Sequence, residues 1–280
     1  MASNAISATN VAPFIPEMWS LIVLAAAENN LVIGDKVDRR YESELKYGDT
    51  LNVPNLSDFG DATAVNTVND LTCISTLQNS TPIVVNYNYY KAIGLGEAEQ
   101  IQDRPDFLKA SLEKCGYSVS KMVDSLLALL FKGFTKTEGT EGTAWTADLL
   151  INCYQDLNAN NVPDTQRAWF IDPATVTDLL KLDYFIRYDY VPEGVVTRGF
   201  QGRQIFGAPV YMTTNLNVVN TSYHAATYMH KEALALISQQ APTVFQFEWP
   251  QRFTKVVGVK SLFGIAEMRD TFGVYISTRN

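Results

Sequence analysis

Two histidines, His224 and His230, are the chain's only imidazoles. They flank a predicted strand, six positions apart. That is not the spacing that puts two metal ligands on one helix face, and no cysteine lies near them. Both read as structural or surface residues. Asp156-x-Asn158-x-Asn160 carries the oxygen ligands that open a calcium loop. However, Asn161 stands where the loop needs Gly for its sharp turn, and Arg167 where a bidentate Glu should close it. The acid pairs Glu42/Glu44 and Glu97/Glu99 have the groups for general acid–base work and read better as solvated charge. Gly94-Leu95-Gly96 is too short for a dinucleotide fingerprint. The chain has neither a Gly-x-Ser-x-Gly elbow nor a phosphate loop ending in Gly-Lys-Ser/Thr. No catalytic, cofactor-binding or metal-ligating residue is assigned, no cofactor is expected, and the expectation is a protein that is not an enzyme.

Composition narrows the classes further. The chain of 280 residues has 30 acidic and 22 basic side chains, a formal net charge of −8, which argues against broad phosphate neutralisation of a nucleic acid. Three scattered cysteines, Cys73, Cys115 and Cys153, read as buried thiols in a reducing compartment. Asn55, Asn79 and Asn220 open glycosylation sequons, which matter only on a secretory route. Met1 to Phe14 lacks a basic n-region, and the apolar run from Trp19 to Ala27 is too short to span a bilayer. The expectation is a soluble protein made in a cytoplasm, with one or two domains.

The strongest structural signal lies between Pro105 and Lys132. Leu108, Leu112, Cys115, Val119, Met122, Leu126 and Leu129 alternate at spacings of four and three, which places them on one helix face. Val123, Leu127 and Leu130 widen that face. Asp103 is the candidate N-cap, Pro105 suits the first turn, and Gly133 is the candidate stop. Such a helix runs roughly 40 Å at 1.5 Å per residue and needs an equally long partner surface. The apolar pattern lasts only about three heptads and lacks a regular charge code, so a core helix is favoured over a coiled coil.

The other elements follow in order. Residues 1–14 form a small, polar arm, and Pro16 opens a helix over 17–30. Tyr47 to Pro54 alternates as a half-exposed strand does, Asn55 to Ser80 is polar, and Pro82 to Ile93 is a strong strand. This reads either as a long hairpin arm or as an ordinary sheet in a compact domain. An isolated hairpin is marginal in water and its open edges invite pairing, so an arm would reach onto a neighbouring subunit. Helices are expected at 145–157 and 173–182, and strands at 168–171, within 195–211, and at 225–229. Residues 215–222 read as an exposed loop and 233–239 as a short apolar piece. Alternating stretches between Thr243 and Ile276 read as strands that back the long helix.

Several segments, in this order, resemble the major capsid proteins of tailed bacteriophages. Pro16-Glu17-Met18-Trp19-Ser20 is similar to the start of their first helix. Tyr47-Gly48-Asp49-Thr50-Leu51-Asn52-Val53-Pro54 resembles the ascending strand of their extended loop. Asp156 to Pro163 with Arg167, then Phe170-Ile171-Asp172-Pro173, Gly202 to Gly207, and Thr213-Thr214-Asn215-Leu216 continue the likeness through the central domain. The resemblance covers almost the whole chain.

That resemblance implies an α+β Hong Kong 97-like phage capsid fold with an N-arm, an extended β-hairpin loop, a long spine helix, and peripheral and axial domains. Residues 1–35 would hold the arm and first helix, and 36–82 the extended loop. The peripheral domain would take 83–142 and 243–280, with the spine helix at 105–132; the axial domain would take 143–242. Function would be self-assembly of many copies, as pentamers and hexamers, into an icosahedral shell around double-stranded DNA, with no sequence-specific DNA binding and no membrane. The shell would be a virion capsid assembled in the bacterial host cytoplasm. A separate scaffolding protein and a portal are expected partners, and a decoration protein is a further candidate. Lys46, Asp49, Asp58, Asp61, Asn66, Asp70, Asn215, Asn217 and Asn220 are the candidate inter-subunit contacts. The Lys–Asn cross-link of some relatives is not carried over, because no pair and no catalytic acid is identified here. A nanocompartment shell of the same fold around protein cargo is the alternative reading, and a soluble α/β enzyme a remote one.

Overall fold

A computed structural model describes residues 32–56, 62, 78–96, 105–182, 204–216, 218–220 and 223–278. The expected N-terminal arm, first helix, tip of the extended loop, Asp103 cap and the 195–203 part of the strands expected within 195–211 lie outside these. The elements are β1 (Thr50–Leu56), β2 (Gln78–Val84), β3 (Tyr87–Gly96), α1 (Pro105–Leu130), β4 (Lys136–Glu138), α2 (Ala147–Ala159), β5 (Arg167–Ile171), α3 (Pro173–Leu179), β6 (Gln204–Ile205), β7 (Ala208–Met212), β8 (Val218–Asn220), β9 (Tyr223–His230), β10 (Leu234–Trp249), β11 (Thr254–Glu267) and β12 (Gly273–Ser277).

The strands form three sheets. β1 and β2 pair alone and antiparallel, from Thr50 opposite Val84 to Leu56 opposite Gln78. This is the hairpin arm. Its descending strand differs from the expectation: Gln78 to Ser80 belong to β2, and a break at Val85 and Asn86 separates β2 from β3. After the break, β3 joins β11 and β10 in a long three-stranded sheet. The central sheet runs β4-β12-β9-β5-β7-β6, with β8 paired to β9.

The long helix stops where the sequence indicates, with a 3-10 turn over Phe131–Gly133. Leu112, Cys115 and Val119 pack on Val257 and Val259, which project from one face of the long sheet. Each such buried aliphatic side chain stabilises the fold by about 1.5–3 kcal/mol. Farther along, Val123, Leu126, Leu127 and Ala128 turn into the central core. Leu129, placed on the apolar face by its spacing, is exposed. A real helix turns every 3.6 residues and drifts away from a seven-residue pattern, so Leu127 and Ala128 take the buried side instead.

The C-terminal strands also divide differently. β11 backs the helix as expected, but β12 pairs with β9 and, in parallel, with β4 in the central sheet. Residues 233–239 are no short piece. They begin β10, whose first four residues are buried in the core and whose last four are exposed. The strand therefore runs unbroken across positions 242 and 243, where the two domains were expected to meet.

A close approach sets the root of the arm. A Cβ on Gly264 would lie 2.6 Å from the Val84 carbonyl oxygen and 3.0 Å from Val85 Cα. Only glycine lets the chain cross β11 there as it passes from β2 to β3. Gly264→Ala should therefore lower stability by about 1–3 kcal/mol, since the obstacle is backbone rather than a yielding side chain. Urea unfolding against the parent chain reads this directly.

Candidate assembly surfaces

The arm is anchored through its lower half. Ile83 and Val85 are buried with Leu45, Ala235 and Ile237, and Leu51 and Val53 pack around them. Asp38 adds a backbone clamp: its N–H donates to the Leu234 carbonyl at 3.0 Å, and its carbonyl accepts from the Leu236 N–H at 2.9 Å. Its side chain is paired to Arg40 at 2.6 Å, and Arg40 reaches Glu232 at 2.9 Å. Burial pushes the Asp38 carboxyl upward, but the hydrogen bonds and charge of Arg40 outweigh it and hold the group below the usual carboxylate range. The clamp ties the chain entering the arm to the start of β10.

The long sheet presents an apolar second face. α1 covers the face carrying Ile93, Val244, Val257 and Val259. Strand alternation sends Tyr90, Phe245, Phe247 and Trp249 to the opposite side. There they line an open groove of about 700 Å³, whose rim includes Lys260. Tyr90 is 72% exposed and Phe247 49%. Phe253, at the turn between β10 and β11, is 76% exposed and holds a left-handed backbone with φ 48°. Such a conformation is uncommon for a bulky residue. The sequence reading missed this surface. Its signal was available: Val244 and Gln246 alternate with Phe245 and Phe247, and a single helix can cover only one of the two faces.

The candidate contacts named from the sequence fall in different places. Lys46 and Asp49 are exposed just before β1, and the Asp49 carbonyl accepts from the Val85 N–H at 2.7 Å, closing the arm's root. Asn220 lies in β8, its position paired with Tyr223. Asp58, Asp61, Asn66, Asp70 and Asn217 lie outside the described residues. Residues 215–222 are not one exposed loop: Asn215 is half-buried, Leu216 is buried, and 218–220 form a strand.

His230, one of the two imidazoles, is held inside the fold: it is buried, and its Nδ1 accepts the Glu232 N–H at 3.2 Å. Burial, the largest influence, holds its pKa below the ordinary imidazole value. Cys115 and Cys153 are buried free thiols, and burial raises the pKa of both. Cys73 lies outside the described residues. No group of metal-ligating side chains occurs among the described residues, and no described helix is long and apolar enough to cross a membrane.

The calcium-like run wraps around an arginine. The Arg167 guanidinium, 1% exposed, donates to the Pro163 and Val162 carbonyls and to Asn158 Oδ1, and pairs with Asp164 at 2.9 Å. Asn160 instead donates to the Asp156 carbonyl at 3.0 Å. The loop's oxygens thus receive a fixed organic cation. Asp164 is itself exposed, so removing the guanidinium strands the neutral acceptors Pro163, Val162 and Asn158 rather than a buried charge. Arg167→Met should cost about 1–3 kcal/mol in urea unfolding, more than an exposed arginine replaced in the same way.

No protein-family model and no curated relative matches the sequence. Solved structures do match it, across most of the chain. A chain from Mycobacterium phage Che8 is 15% identical with a TM-score of 0.71, over 88% of this chain and 90% of that one. One from the capsid structure of cyanophage P-SCSP1u is 13% identical with a TM-score of 0.67, over 82% and 83%. One from the virus-like particle of Pyrococcus furiosus is 14% identical with a TM-score of 0.60, over 94% and 99%. With its paired arm, long helix across a long sheet, and separate central sheet, the chain has the α+β Hong Kong 97-type fold of phage capsids.

Proposed function

We propose that the chain is a major capsid protein, many copies of which close into an icosahedral shell around double-stranded DNA. The observation that carries this reading is the pairing of two incomplete surfaces on one fold. One is an arm whose two strands, among the described residues, pair only with each other. The other is the aromatic groove on the uncovered face of the long sheet. An exposed apolar face of this kind favours a protein partner. Charge supports a second copy as that partner: the arm between Asp49 and Asp70 carries Asp49, Asp58, Asp61 and Asp70 with no basic residue, and Lys260 stands on the groove's rim. In the assembled shell, the arm of one subunit lies over the groove of its neighbour.

The work of the protein is then assembly rather than catalysis. Pentamers and hexamers repeat one modest contact many times, and the closed lattice adds these contacts through multivalency. A scaffolding protein guides closure and a portal interrupts one vertex, with a decoration protein as a further candidate partner. The location that follows is the virion, after assembly in the host cytoplasm. The acidic balance of the chain agrees with a wall that confines DNA without binding it tightly. The likeness to the Pyrococcus furiosus virus-like particle favours a second reading, a nanocompartment shell around protein cargo.

Electron microscopy of the chain, expressed alone and with its neighbouring reading frames, tests the proposal. Closed shells or rings of subunits are expected, and their contents, DNA or protein, separate the two readings. Monomers under both conditions would overturn both. A double substitution, Phe247→Glu with Trp249→Glu, should abolish particles while leaving the circular dichroism spectrum unchanged, because both side chains reach solvent in the single subunit. Particles boiled in detergent should run as monomer bands, whereas a covalent ladder would show that subunits cross-link.

A further inference from the structure

Asp124 is a fully buried carboxylate on α1. Its Oδ2 accepts the Val32 N–H at 3.1 Å and its Oδ1 the Gly34 N–H at 3.3 Å. The Ile33 N–H and the Asn215 side chain also lie near enough to favour its charged form. Three parts of the fold therefore meet on one side chain: the turn leading to the Asp38 clamp, the long helix, and the connection from β7 to β8. The charged groups on these elements leave Asp124 unpaired. Asp35 is exposed, the Lys36 ammonium lies 5.2 Å from the Tyr211 ring centroid, and Lys121 is exposed one turn earlier on α1. Thr213 and Asn215, on the third element, do not titrate. Among the described residues no ion pair reaches Asp124.

A second observation lies next to it. Among the described residues, Asn215 Oδ1 is buried and has no hydrogen-bond partner, while the Asn215 backbone N–H is held by Thr213 Oγ1 at 3.1 Å. A buried acceptor left without a donor is costly. A carboxylate can only accept, but a carboxylic acid can also donate. A proton on Asp124 gives that pair the donor it lacks and leaves the other carboxyl oxygen to accept from the turn.

We propose that Asp124 and Asn215 form a proton-dependent clasp, which joins the long helix, the root of the arm and the central domain and holds most firmly when Asp124 is protonated. The direction of the linkage agrees. Burial, the largest influence on Asp124, raises its pKa, and the hydrogen bonds from Val32 and Gly34, with the nearby Ile33 N–H and Asn215 side chain, lower it without cancelling the rise. A carboxyl whose pKa is higher in the closed state binds its proton more tightly there. The proton's contribution to the clasp is therefore fully present below the open-state pKa and is lost as pH rises through the closed-state pKa. The sensitive window opens at the ordinary carboxylate value and extends upward.

Hydrogen–deuterium exchange on the full chain, from about pH 5 to about pH 8, tests this. After correction for intrinsic exchange, the protection of amides 32–34 should fall with rising pH, by at most about tenfold per unit. Asp124→Asn is neutral at every pH and should give a flat profile; parent and variant profiles that coincide would overturn the clasp. Asn215→Ala removes the orphaned acceptor and should reduce the parent's slope even where Asp124→Asn does not fold. An unchanged slope in Asn215→Ala would also overturn the proposal. The readout belongs to the folded subunit, assembled or not, so its failure leaves the shell reading untouched, and loss of shells leaves the clasp standing.

Discussion

The three-stranded sheet has two faces, and among the described residues one long helix covers one of them. That constraint organises the molecule. Leu112, Cys115 and Val119 bury one face of β11 and β3, and the other keeps Tyr90, Phe245, Phe247 and Trp249 in contact with solvent. Here the spare hydrophobic surface and the spare hairpin occur together. Each is a poor solution for a lone subunit, and on the proposed reading each would complete what a neighbouring copy lacks.

The arm is attached firmly at its base. Its base is held by apolar packing around Ile83 and by the Asp38–Arg40–Glu232 pairs, and its register by seven matched positions along β1 and β2. Rigidity is therefore concentrated where the arm leaves the body. The crossing at Gly264 serves the same end, because it lets the chain leave a two-stranded ribbon and enter the long sheet within two residues.

Much of this architecture was legible in the sequence. The spacing from Leu112 to Leu126 fixes the helix, and alternation from Tyr47 to Pro54 marks the first strand of the arm. Asp172 before Pro173 marks the start of α3, where its side chain caps the Thr175 N–H. What escaped was tertiary in origin. β12 looks like a partner for the long helix, and only its pairing with β9 and β4 assigns it to the central sheet. Asn215 sits in a polar run that reads as solvated, yet the long-range contact to Asp124 draws it inward. The likeness of residues 156–167 to a calcium loop was real in its oxygens and misleading in its cation, because Arg167 arrives from the chain itself. The aromatic groove was half legible: the alternation was visible, but which face the helix would take was not.

β10 has a mechanical consequence. It runs sixteen residues, from the buried Leu234 to the exposed Trp249, a span of roughly 50 Å at about 3.4 Å per residue. Thirteen of its residues are matched one to one with residues of β11. A pull along this axis loads the ladder's hydrogen bonds in shear, many at once, instead of peeling them apart singly. A subunit built this way is stiff in tension along the strand and yields more readily at the bulges between Ser238 and Thr243. Under outward load, bending is thus directed to a point near the middle of the strand, away from both its buried start and its aromatic end.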